Sequence, residues 1–176
     1  MERFLLCGAA LCGIIGGVID VRSNRIPNWL TYTALGLALA SRTLWGGWPA
    51  LKQGLWGALL GGGVFFLFFL VRGMGAGDVK LMGAVSAWAG LHGAVTLLIA
   101  TAYAGGAIAL VYIVFHKQVG TTIRNLGTLL KFHLTSGIRP HPKLSLQSKT
   151  ARRLPYGLAI AIGSIYLLIS SIGLRG

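Results

Sequence analysis

The 176 residues carry 16 Lys and Arg against three acids, Glu2, Asp20 and Asp78; 55% of the chain is hydrophobic and its mean hydropathy is +0.73. That composition excludes an ordinary soluble domain and leaves the membrane class. A formal charge of +13 with no soluble fold to present it argues against nucleic acid as a partner and for anionic lipid and membrane topology.

A membrane-crossing helix needs about 20 apolar residues. The first apolar run, Phe4 to Ile19, is glycine-rich and short, and is expected to continue as helix through Asp20 before Val21-Arg22-Ser23-Asn24-Arg25. It lacks the strongly basic start and clean small-residue cleavage site of a signal peptide, so it reads as a span. Cys7 and Cys12 within it fit neither a CxxC nor a zinc spacing and read as small buried residues. Ile26-Pro27-Asn28 precedes a second run, Trp29 to Leu44; proline suits the first helical positions and the residue before it is extended. Trp45-Gly46-Gly47-Trp48-Pro49 reads as a turn with interfacial aromatics.

The third run, Leu55 to Val71, stops at Arg72-Gly73-Met74-Gly75-Ala76-Gly77-Asp78. From Val79 to Phe115 the apolar sequence is too long for one span and divides near Gly90-Leu91-His92-Gly93. The last run is Leu158 to Leu174. The expected fold is therefore all-α: a polytopic bundle of about six transmembrane helices, forming one integral-membrane domain over residues 1–176. Its only substantial polar segment is a basic loop at about 116–153, where Ile123, Leu126, Leu130 and Leu134 have the spacing of an amphipathic surface helix. That loop is expected to meet either substrate or anionic lipid.

Basic residues fall mostly on one side of these spans: Arg22, Arg25, Arg72, Lys80 and those of the 116–153 loop. Arg3, Arg42, Lys52 and Arg175 fall on the other. The positive-inside bias puts the first group in the cytoplasm and both termini outside. Asp20 and Asp78 then share the cytoplasmic face.

An ionisable residue beside membrane-spanning sequence is a functional-site hypothesis by default. Asp78 follows Gly77 and opens an apolar run, the place of an N-cap, so a structural role competes with a chemical one. Asp20 lies near a helix C-terminus, where the macrodipole disfavours a carboxylate, and Arg22 does not face it along a helix. As a pair they can share a proton and supply both the base and the acid that peptide hydrolysis requires. Gly73, Gly75 and Gly77 either admit a substrate backbone close to Asp78 or serve as a hinge. Lys80 is either an interfacial anchor or a partner in the site. His92, His116, His133 and His141 show no paired metal-ligand spacing, and no metal or cofactor is expected.

Gly75-Ala76-Gly77-Asp78-Val79-Lys80-Leu81 resembles the GxGD motif of the type IV prepilin peptidase family. Asp20 followed by Arg25-Ile26-Pro27-Asn28 is similar to that family's first aspartate segment, and Leu154-Pro155-Tyr156-Gly157 to its short C-terminal motif. The three stand in the family's order and cover essentially the whole chain. The resemblance implies a membrane aspartic endopeptidase with Asp20 and Asp78 as its catalytic pair. Gly75, Gly77, Lys80, Ile26, Pro27, Asn28 and Pro155 would shape the site or bind substrate. It implies a prokaryotic inner-membrane protein that cuts the basic leader of prepilins and pseudopilins at the cytoplasmic face without a metal. Larger members carry paired CxxC motifs and methylate the new amino terminus; here only about six residues separate Asp20 from Pro27, and no methylation is expected. The compact form resembles the peptidases of tight-adherence (Flp-type) pili, with archaeal preflagellin peptidases more distant. The competing class is a proton- or ion-coupled transporter with a carboxylate relay, disfavoured because both aspartates map to one face and away from the midplane.

Overall fold

The computed structural model describes residues 2–71, 73–115 and 156–173. Four helices make up this part: α1 (Glu2–Ser23), α2 (Asn28–Leu70), α3 (Ala76–Phe115) and α4 (Tyr156–Gly173). Each is long and apolar enough to cross a membrane. The amphipathic pattern at 123–134, the rest of the basic loop, Arg72 and Pro155 lie outside the described residues.

The six apolar runs appear as four helices because two glycine breaks are bridged by helical turns on both sides. At about 1.5 Å per residue, the 43 residues of α2 would reach about 65 Å if straight, twice a hydrocarbon core of about 30 Å. Gly47 resolves the mismatch: its φ of 60° and ψ of −156° lie where a side chain is strained, and the helix reverses there. Leu39 and Arg42 before the break consequently pack on Gly54 after it. Pro49 sits inside the restarted helix, within its opening turn, where its missing N–H costs little. Gly90, at φ 75° and ψ 177°, breaks α3 in the same way.

The two halves of α3 have different neighbours. Ala76–Ala89 runs antiparallel to the second half of α2, where Gly57 and Gly61 meet Ser86 and Gly62 meets Gly83. The half after Gly90 lies along α4, with Thr101 on Gly163 and Gly105 beside Ala159. Helix α1 packs on α4 through Gly13 against Ser164, and on the first half of α3 through Gly16 against Leu81. Small residues let these helices approach closely enough for dispersion and weak polar contacts to hold them in a solvent as apolar as their side chains. The centre is filled by Leu81, Met82, Val85, Leu97 and Ile160, all fully buried. Leu44, Tyr103, Leu110 and Phe115 point outward, the inverse of a soluble protein's pattern and suited to lipid.

Candidate active site

The antiparallel packing brings three segments to one end of the bundle: the end of α1 with its connector to α2, the start of α3, and the start of α4. The connector is tightly built. Asn24 closes α1 in the left-handed conformation at φ 51°, which asparagine tolerates better than most residues. Its N–H donates to the Asp20 carbonyl at 2.7 Å. The Ser23 hydroxyl lies 2.8 Å from the Ile19 carbonyl and 3.0 Å from that of Arg25. Pro27 is extended, at φ −71° and ψ 142°, and stands at the N-cap rather than at the first helical position expected of it; α2 starts at Asn28.

Asp20 is buried, with 8% of its surface exposed. Its position at the end of α1 is electrostatically poor, and the fold compensates from elsewhere. The backbone N–H of Gly157, in the first turn of α4, donates to Asp20 Oδ2 at 2.9 Å. The carboxylate thus meets the positive end of a second helix, where an anion is favoured. Gly157 must be glycine for this approach: a Cβ there would stand 2.6 Å from Asp20 Cβ and 2.9 Å from its Oδ2.

Asp78 departs from the expected N-cap. Helix α3 begins at Ala76, so Asp78 occupies the third helical position, and its Oδ2 accepts the N–H of Gly75 at 3.1 Å. This is the reciprocal half of a capping box, with a carboxylate in the first turn reaching back to the cap residue's N–H. Asp78 is half-buried, and it follows Gly77, which packs on Ile26 of the connector after Asp20. Both carboxylates therefore lie at the end of the bundle where that connector, the start of α3 and the start of α4 meet.

The other expected residues divide by position. Gly75 and Gly77 both precede Asp78; Gly75 donates to it, while Gly77 lies under Ile26, whose Cβ would be 3.2 Å from an added methyl. Ile26 is buried and Asn28 is exposed. Lys80 Nζ donates to Asn28 Oδ1 at 2.9 Å and sits 5.1 Å from the centre of the Tyr32 ring. Gly157, Tyr156 and Tyr32 were not singled out as site residues by sequence reasoning. The Pro-Tyr-Gly motif was the signal for the first two; nothing marked Tyr32. Among the described residues no three His, Cys, Asp or Glu side chains cluster.

A family model for the type IV leader peptidase family matches residues 7–110, more than half the chain. The chain belongs to that family. It is 34% identical over 118 residues to the prepilin leader peptidase/N-methyltransferase of Burkholderia pseudomallei (strains 1026b and K96243), covering 63% of this chain and 37% of each relative. It is 32% identical over 114 residues to the protein of the same name from Stutzerimonas stutzeri, covering 60% of this chain and 39% of that one. The match thus spans well under half the length of these relatives. No solved structure matches it. The family match contains Asp20, Ile26–Asn28 and Gly75–Lys80 but stops before α4, so the part played by Tyr156 and Gly157 comes from the packing.

Proposed function

We propose that this protein is a membrane aspartic endopeptidase that removes the basic leader of type IV prepilins, Flp-like prepilins in particular, with Asp20 and Asp78 as its catalytic pair. The observation that carries the reading is that two carboxylates from separate helices lie at one end of the bundle, Asp20 bonded to the first turn of α4 and Asp78 beside the connector that follows Asp20, in a chain that has only one other acid, Glu2.

The chemistry follows from the pair. One carboxylate is ionised and takes a proton from water as the oxygen attacks the scissile carbonyl. The other is protonated and donates to that carbonyl oxygen, giving a neutral gem-diol. Collapse breaks the C–N bond: the proton collected by the first carboxylate passes to the leaving nitrogen, and a gem-diol hydroxyl returns its proton to the second carboxylate as the carbonyl re-forms. The cycle ends with one proton again shared by the pair, so it needs no metal. Gly75 places no side chain against the Asp78 carboxylate, where an extended substrate backbone could approach, while the space over Gly77 is taken by Ile26 of the connector. In sequence, the basic residues fall mostly on the side of the spans that holds Asp20 and Asp78, which supports a cytoplasmic site in the inner membrane with both termini outside.

The test is co-expression with a candidate prepilin and mass spectrometry of its new N-terminus. Cleavage is expected with the wild-type protein and absent with Asp20→Asn or Asp78→Asn, each still inserted in the membrane. Normal processing by either variant would overturn the assignment, and the same spectrum reads methylation.

A further inference from the structure

We propose that Lys80 is a positioning residue: its ammonium clamps the connector that follows Asp20 onto the start of α3 and so sets the spacing of the two carboxylates. The catalytic consequence rests on the two-aspartate reading; the clamp itself is read from geometry.

Three observations converge. Lys80 Nζ bonds Asn28 Oδ1, 52 residues away in sequence, and lies over the Tyr32 ring. Asn28 and Tyr32 are four apart in the first turns of α2 and share one face, so the ammonium is gripped from two sides by one helix. Electrostatics argues that this placement is not incidental. The N-terminus of α2 has no side-chain cap, and the positive end of a helix disfavours a cation by about 0.3–1 kcal/mol. A lysine serving only as an interfacial anchor would gain by turning its ammonium toward water. Lys80 instead reaches across to the next helix.

The third observation is mechanical. The connector is fixed to α1 by the Asn24 bond to Asp20 and by Ser23. It is attached to α3 at two points, Ile26 on Gly77 and Asn28 on Lys80. Those points bracket Asp78, one residue before it and two after. A single attachment would leave the connector free to pivot about Ile26; two attachments fix both its distance and its angle. Asp20 and Asp78 are thereby held to a common reference, and a displacement of about 1 Å between reacting groups costs on the order of 100-fold in rate.

The test compares the wild type with Lys80→Met, Lys80→Arg, Asn28→Ala and the Lys80→Met/Asn28→Ala double variant in liposomes. Spin labels at Arg22→Cys and Gly73→Cys, in a background with Cys7 and Cys12 replaced, report the distance between the end of α1 and the start of α3. Lys80→Met and Asn28→Ala should broaden that distribution, and Lys80→Arg, which can still donate and stack, should largely restore it. On a prepilin that the wild type cleaves, both single variants should lower kcat by about 10- to 100-fold with KM within about twofold. The double variant should be no worse than either, because the two residues act as one unit. An unchanged distance distribution would overturn the clamp. So would a raised KM at constant kcat, which would make Lys80 a substrate contact. Failure of the wild type to cleave any prepilin would count against the peptidase reading alone, because the spin-label distances judge the clamp without activity.

Discussion

The two ends of the bundle handle buried charge by the same rule and to opposite ends. Near Asp20 and Asp78, carboxylates meet backbone N–H groups at helix N-termini. At the other end, Arg42 meets backbone carbonyls at a helix C-terminus: its Nε donates to Ala87 and its Nη2 to Trp88, both at 2.8 Å, just before α3 breaks at Gly90. Each charge sits where the helix dipole favours it. The difference lies in what remains for chemistry. Arg42 is spent on closing a helix that would otherwise present bare carbonyls to an apolar surround. The aspartates lie where two helix starts and a connector meet, and Asp78 remains half-exposed. A cavity of about 540 Å³ opens beside Arg42, lined among others by Leu5, Gln53, Trp88, His92 and Leu167, with no acid in its wall.

The largest effects are expected at the carboxylates. Asp20→Asn and Asp78→Asn should each lower cleavage by at least about 10²- to 10⁴-fold, the usual worth of a general acid or base, without loss of thermal stability in detergent. Residual cleavage near the wild-type rate would make the aspartate end as structural as the arginine end. Gly157→Ala is next. Its methyl would displace Asp20, so kcat should fall on the order of 100-fold while the protein still inserts; an unaffected kcat would detach Asp20 from the reaction.

At the opposite end, Arg42→Met should destabilise the protein by about 2–4 kcal/mol, from two lost bonds to a charged donor, with the rate per folded molecule within about twofold of wild type. A melting curve and an active-site titration separate the two effects, and a large loss of kcat in folded protein would erase the contrast between the ends. The smallest effect is expected at Gly36, where an added methyl meets nothing within 4 Å. Gly36→Ala should leave cleavage unchanged and stabilise the helix by up to about 1 kcal/mol.

Local features of the sequence proved readable and long-range ones did not. Gly47 and Gly90 stand in glycine clusters that interrupt apolar runs, and both breaks occur inside the stretches expected. Asp20 and Asp78 were conspicuous because the chain has so few acids. Arg42 was read as a loop charge that sets topology, because counting basic residues assigns them to loops. Its carbonyl partners lie 45 and 46 residues away, and only packing brings them near. The bond between Gly157 and Asp20 was hidden for the same reason. Asp78 lies three positions past the cap it was expected to form because Ala76 and Gly77 already belong to the helix, and glycine gives a weak signal of where a helix starts.

The Gly157–Asp20 bond also bears on the order of synthesis. Asp20 leaves the ribosome with the first helix, and its N–H donor follows 137 residues later with the last of the four helices described. Until α4 is seated, the carboxylate end of α1 lacks both the donor that orients it and the helix terminus that favours its charge. A nascent or misinserted chain therefore lacks the Gly157 contact at Asp20, which forms only when the last of the four described helices packs.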